Sequence, residues 1–145
     1  MAVVGFDFGT TNSLASVVIG TDVINFLDNE QPIPSVVSFE GGRVEVGRKA
    51  HDKLTSAGLG IQGSTVRSPK TLLGREEQVI DGVRRDPVQM VEHVLDHVRR
   101  FVLQTKAGQG LKMDRVVATI PVNMEGHRRA LLRQAFRQAG MSVVQ

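Results

Sequence analysis

A chain of 145 residues, 41% hydrophobic and 23% charged, is long enough to bury a core and has the composition of one globular domain, not of a disordered segment. It contains no cysteine, which excludes disulfide scaffolds, thiolate zinc sites and cysteine catalysis. Trp and Tyr are absent, and 18 basic residues are interspersed with 15 acidic ones for a net charge of +3; both facts argue against a nucleic-acid partner despite an isoelectric point near 9.8.

Apolar runs stay far below the ~20 residues that a membrane helix needs. The start, Met1-Ala2-Val3-Val4-Gly5, shows neither the charged region nor the cleavage site of a secretory signal. The expectation is a cytoplasmic protein with no membrane partner.

In chain order, residues 2–8 form an apolar run that ends in a glycine-rich turn. Runs at 14–19 and 23–27 follow, separated by Gly20-Thr21-Asp22, and the three predict an antiparallel meander. Pro32 and Pro34 open a second unit. There Ser35–Phe39 and Arg43–Val46 flank Gly41-Gly42 as a predicted hairpin. Residues 48–57 predict a short helix, broken by the glycines from 58 to 63. A longer helix starts at Asp86, a natural N-cap, with Pro87 at its first position and Gln89 placed for a capping box. Val91, Val94, Val98, Phe101 and Val102 give it one apolar stripe. A strand over 116–120 stops at Pro121, and a helix over about 125–139 takes Asn123 as cap and Gly140 as terminator. Residues 141–145 begin a further strand. Meander and crossover together predict an α/β fold with both in one sheet.

Gly5-Phe6-Asp7-Phe8-Gly9-Thr10-Thr11-Asn12-Ser13 carries the chemistry. A carboxylate at the end of a buried strand is costly unless a cation or hydrogen bonds compensate it, which singles out Asp7. Gly9 allows a sharp turn, and Thr10, Thr11 and Asn12 offer hydroxyl, amide and main-chain N–H donors that can form an anion-binding concavity. A carboxylate beside it suits hydrated Mg²⁺. An ordinary polar hairpin is the plainer alternative. Gly58-Leu59-Gly60-Ile61-Gln62-Gly63 fits the dinucleotide-binding pattern by letter, but its context is wrong: a helix precedes it and Pro69 follows. His93 and His97 are four apart on the long helix, a metal-binding spacing, yet they lie off the apolar stripe with Asp96 and Arg100, and are expected to be solvated.

The glycine-rich stretch resembles the first phosphate motif of the 70-kilodalton heat-shock (DnaK-type) chaperones. Three further stretches agree in order: Pro34-Ser35-Val36-Val37-Ser38-Phe39, Lys70-Thr71-Leu72-Leu73-Gly74-Arg75, and Val117-Ala118-Thr119-Ile120-Pro121 followed by Arg129 and Ala139-Gly140. The resemblance implies the first lobe of an actin-like ATPase (ribonuclease H-like) fold, cut in its last strand. Residues 1–39 and 115–145 would form a core subdomain, with 40–114 inserted as a second. It implies ATP or ADP as ligand with Mg²⁺ near Asp7, and K⁺ as a further cation. Gly9, Thr10, Thr11 and Asn12 would bind the phosphates, with Thr10 near the γ-phosphate. Lys70 would reach toward the γ-phosphate and the attacking water, so that Lys70, Thr10 and Asp7 carry the catalytic role.

Pro121 and Arg129 match positions that couple nucleotide state to a peptide-binding domain. Arg129, Arg133 and Arg137 also fall at helical spacing, as a plain basic stripe would. After Pro121, Val122-Asn123-Met124 stand where the family usually carries aromatics, and the 76–86 region is short, as in a divergent bacterial-type relative. The implied parent hydrolyses Mg-ATP to switch its grip on unfolded polypeptide, with a J-domain co-chaperone and a nucleotide exchange factor as partners. The 145-residue chain alone is expected to be inactive, and to dimerise or swap through the sheet edge at Val143-Val144. Another actin-fold ATPase (a filament-forming protein or a sugar kinase) and a non-catalytic chaperone-derived binding module stay open as alternatives.

Overall fold

The computed structural model describes residues 3–144, so residue 2 of the first predicted strand and residue 145 of the last lie outside the described residues. The meander forms as expected. Strands β1 (Val4–Phe8), β2 (Asn12–Ile19) and β3 (Asp22–Phe26) pair antiparallel, with Phe8 opposite Ser13 across the first turn and Val18 opposite Val23 across the second. A short β4 (Ile33–Pro34) returns to the start of β2.

The chain then builds a second sheet of four strands in the order β6-β5-β8-β7, from β5 (Val36–Ser38), β6 (Glu45–Val46), β7 (Gly60–Gln62) and β8 (Thr65–Arg67). The Gly41-Gly42 hairpin is present, with Val37 opposite Val46 and a 3-10 turn at Glu40–Gly42. The predicted 48–57 helix shrinks to α1 (Arg48–His51), because the segment that follows reaches β7 in an irregular path. A third, two-stranded sheet, β9 (Gln78–Ile80) with β10 (Val83–Arg85), was not predicted.

Helix α2 (Pro87–Gln104) begins as expected: Asp86 is extended, and its side chain accepts from the N–H of Val88 at 2.9 Å. Gln89 is exposed and shares no hydrogen bond with this cap, so the capping box does not close. The stripe is buried at Val91, Val94, Leu95, Val98 and Val102, with Phe101 partly buried beside it. Strand β11 (Arg115–Thr119) returns parallel to β1, and β12 (Ser142–Val143) lies parallel to β11. The main sheet therefore runs β12-β11-β1-β2-β3, with β4 on β2. Helix α3 (Gly126–Gln138) joins β11 to β12. Its N-cap is Glu125 rather than Asn123, without a side-chain capping bond, and Gly140 ends it in left-handed backbone at φ +88°.

Alternation along β1 turns Val4, Phe6 and Phe8 into the core. Phe6 meets Phe136 of α3 edge-on, at 5.4 Å between centroids. α2 packs against α3, β2 and β5, which brings its buried stripe into the same core as the main sheet. The same alternation corrects one expectation: Asp7 points to the opposite, open face and is exposed. The two histidines of α2 are corrected the other way. They are half-buried, His93 edge-on to Phe39 and His97 against Gly47, where a β-carbon would lie 3.1 Å from its Nε2.

Candidate functional site

The β1–β2 turn consists of Gly9-Thr10-Thr11-Asn12. The N–H of Gly9 donates to the carbonyl of Asn12 at 2.9 Å, closing the turn, while Thr10, Thr11 and Asn12 are exposed. Gly9 is required by proximity: a β-carbon there would stand 2.7 Å from the Asn12 carbonyl oxygen.

Four consecutive carbonyls, from Phe8 to Thr11, are each held by a residue distant in sequence. The Lys70 ammonium donates to Phe8 O at 2.8 Å, Ser35 Oγ to Gly9 O at 3.2 Å, Ser68 Oγ to Thr10 O, and the Ser35 N–H to Thr11 O at 2.9 Å. Ser13 and Ser35 share a hydroxyl contact of 2.9 Å, and the Ser68 N–H donates to Ser35 O at 2.9 Å. Ser13, Ser35 and Ser68 are all fully buried. A trans peptide sets its N–H opposite its carbonyl. Holding Gly9 O and Thr10 O inward therefore turns the N–H groups of Thr10 and Thr11 outward, and neither has a protein acceptor among the described residues.

Lys70 is only 6% exposed, in a 3-10 turn at Pro69–Leu72, with its ammonium 5.6 Å from the centroid of the Phe8 ring. Burial lowers its pKa from the ordinary lysine value; the Asp7 charge opposes that shift and Arg128 adds to it. The structure thus brings Lys70 to the base of the turn and seats its ammonium on a main-chain carbonyl, not in open solvent. Asp7, two residues before Gly9, accepts from the Thr119 hydroxyl of β11 at 2.8 Å. Among the described residues, only its Oδ1 is engaged in this way.

Pro121 and Arg129 also meet. The Arg129 guanidinium donates to the carbonyls of Pro121 at 3.4 Å and Val122 at 2.9 Å, closing the loop before α3. Its neighbour Arg128 donates to the Lys70 carbonyl at 3.3 Å. Ser35, Ser68, Thr119 and Arg128 were not singled out from the sequence. Ser35 and Thr119 lie inside the quoted motif stretches, but nothing in a single sequence separates a buried bridging serine from a surface one. Among the described residues no group of three or more His, Asp or Glu side chains is arranged to hold a metal, and no helix is long and apolar enough to cross a membrane.

Comparison with known proteins identifies the family of the chain. Residues 3–145 match the model of the family described as Hsp70 protein. The chain is 29% identical to the chaperone protein DnaK of Mycoplasmopsis agalactiae over 145 residues, covering 98% of this chain and 23% of that protein. It is 28% identical to the DnaK of Mycoplasmopsis pulmonis, again over 98% of this chain and 23% of the other. The DnaK of Mycoplasmoides gallisepticum is 30% identical, over 97% and 24% respectively. The chain thus spans about a quarter of the length of the curated relatives it matches. With a mixed α/β architecture in several sheets, and a family match over nearly every residue, the chain belongs to the Hsp70 family, as an amino-terminal part of its actin-like nucleotide-binding domain.

Proposed function

We propose that this chain supplies one lobe of a Mg-ATP site in an ATP-dependent chaperone. The observation that carries the reading is the delivery of a buried ammonium, Lys70, to a turn whose Thr10 and Thr11 N–H groups face outward without protein acceptors. Outward main-chain N–H groups beside a fixed positive charge make a phosphate cradle. In this reading Gly9, Thr10, Thr11 and Asn12 contact the phosphates, with Thr10 nearest the γ-phosphate, and Lys70 stabilises the charge that develops during transfer. Phosphoryl transfer depends mainly on positioning and charge, so these groups suffice for the part of the work that falls to this lobe.

Mg²⁺ fits the residues present. A single exposed carboxylate, Asp7, with one oxygen held by Thr119, suits a hard cation that keeps most of its waters and takes its other ligands from phosphate. Bound there, Mg²⁺ would neutralise phosphate charge; K⁺ is assigned to the same neighbourhood without a specific ligand. We assign residues 1–39 and 115–145 to a core unit with 40–114 inserted, a division supported by a main sheet that draws its strands from 4–34 and 115–143; β5 at Val36–Ser38 already pairs in the second sheet, so the chain crosses over a few residues before 39. Pro121 and Arg129 are proposed to couple the site to a peptide-binding domain. Their support is the paired hydrogen bonds that tie Arg129 to the Pro121–Val122 carbonyls. On this reading the parent protein is cytoplasmic, hydrolyses ATP to switch its affinity for unfolded polypeptide, and works with a J-domain co-chaperone and a nucleotide exchange factor.

The test is direct. Titrating Mg-ATP into the 145-residue chain while following the phosphorus resonances should show weak binding, with a Kd on the order of millimolar. Lys70→Ala should weaken it about tenfold or more. Phosphorus signals that ignore the protein would sink the site, and steady ATP turnover abolished by Lys70→Ala would overturn the expectation that the chain alone is inactive.

A further inference from the structure

We propose that Ser68 is a positioning residue for the phosphate-binding turn: its buried hydroxyl holds the Thr10 carbonyl inward, and so aims the Thr11 N–H at the phosphate. The inference rests on the reading of the turn as a phosphate cradle. Four non-glycine residues among those described have positive φ: Asn29, Glu30, Ser68 and Asp81. Three of them are exposed. Ser68 alone is fully buried, at φ 61° and ψ 63°, in a region that a serine side chain rarely adopts. A strained residue kept in a packed interior needs surroundings that over-determine it.

Those surroundings are specific. The Ser68 N–H donates to Ser35 O at 2.9 Å, and its carbonyl accepts from the Thr71 hydroxyl at 2.8 Å and the Thr71 N–H at 3.0 Å. Pro69 follows at the first position of the 3-10 turn that carries Lys70. With backbone and flanks fixed, the left-handed conformation sends the hydroxyl to Thr10 O, 58 positions away in sequence. An extended residue at 68 would point its side chain elsewhere. Beyond these main-chain bonds, the conformation makes one side-chain contact, and that contact joins the segment bearing Lys70 to the turn bearing the outward N–H groups. Ser35 completes the hold through Gly9 O and Thr11 O. Without Ser68, the Thr10–Thr11 peptide is the one peptide in the turn whose carbonyl has no anchor.

Two variants separate the hydroxyl from the backbone. Ser68→Ala removes the hydroxyl and keeps the strain, whereas Ser68→Gly removes the hydroxyl and relieves the strain, so the glycine chain folds at least as readily. Two readouts on the ¹⁵N-labelled 145-residue chain are needed: the order parameters of the Thr10 and Thr11 amides without ligand, and the affinity for Mg-ATP from the shifts of those same amides. In both variants the order parameters should fall from about 0.85 to below about 0.6, while those of β9 and β10 stay unchanged. Affinity for Mg-ATP should fall about tenfold in both, with the glycine variant no better than the alanine one. A Ser68→Gly chain with an ordered turn overturns the proposal, whatever its affinity. So does one that binds Mg-ATP as the parent chain does. If order is lost in both variants but Mg-ATP never shifts these amides in the unaltered chain, Ser68 positions the turn as inferred and the phosphate reading fails instead.

Discussion

At Gly9 the space for a side chain is already taken by the Asn12 carbonyl oxygen, 2.7 Å from the position of a β-carbon. The obstacle is main chain, and the same two residues are joined by the 2.9 Å bond that closes the turn. Gly9→Ala must therefore open the turn and strain the carbonyl anchors behind it. A destabilisation of about 1–3 kcal/mol is expected, from the cost of forcing extra volume into a packed site. Urea unfolding should show a lower midpoint at unchanged slope; an unaltered midpoint would mean that the turn has room the structure does not show. Asp7 teaches the complementary point. The sequence leads one to expect a buried carboxylate there, and Asp7 is exposed, because period-two alternation along β1 spends the buried positions on Val4, Phe6 and Phe8. What marks it in the structure is the Thr119 hydroxyl that orients it, from a strand more than a hundred residues away.

Among the elements, α2 is legible in the sequence because its signals are local and agree. Asp86 caps the Val88 N–H, Pro87 occupies the first turn, and one face carries Val91, Val94, Leu95, Val98 and Val102. The cap has a measurable weight: Asp86→Ala should cost about 1 kcal/mol, with the loss confined to equilibrium stability and no change in the packing of the stripe. Retention of the full thermal midpoint would show that the helix is held by tertiary contacts alone. The β9–β10 hairpin was missed, although Asp81-Gly82 is a favourable two-residue turn, because its strands are three residues each and carry Val79 and Val83 exposed. Strands that short have too little alternation to register. The overlong 48–57 helix fails for a related reason. Helical propensity at its start is real, but a strand pairing, β7 with β8, claims the chain a few residues later. Asn123 lost the cap of α3 because the loop before the helix is instead closed by Arg129 onto Pro121 and Val122. In each case a short-range pairing, a hairpin or an arginine bonded seven or eight residues back, decides the outcome, and propensity and periodicity over a few residues do not register it.

Over the whole molecule, the two histidines of α2 are the groups whose placement differs most from the expectation of free solvation, and that placement sets a pH dependence. Burial lowers the pKa of each below the ordinary 6.5. For His93 the charges of Glu92 and Asp96 oppose the shift and Arg85 adds to it, and for His97 the charges of Asp28 and Asp96 oppose it. The unfolded chain therefore takes up protons near pH 6.5, where the native protein still resists them. Their contribution to stability is fully present above about pH 6.5 and is lost as pH falls toward the depressed native values. Lys53 with Glu45 acts in a separate window. Its ammonium, 2.5 Å from the carboxylate, lowers the Glu45 pKa from 4.5, so that pair weakens only in stronger acid. Urea midpoints should consequently stay level from pH 8 to about 7 and decline between about pH 6.5 and 5, before the carboxylates titrate. A chain carrying His93→Gln and His97→Gln together should lose most of that decline, even if its midpoint at pH 8 is lower. A profile that is flat down to pH 5 in the unaltered chain would mean that burial does not separate the native from the unfolded titration of these rings, whatever their packing against Phe39 and Gly47 contributes at high pH.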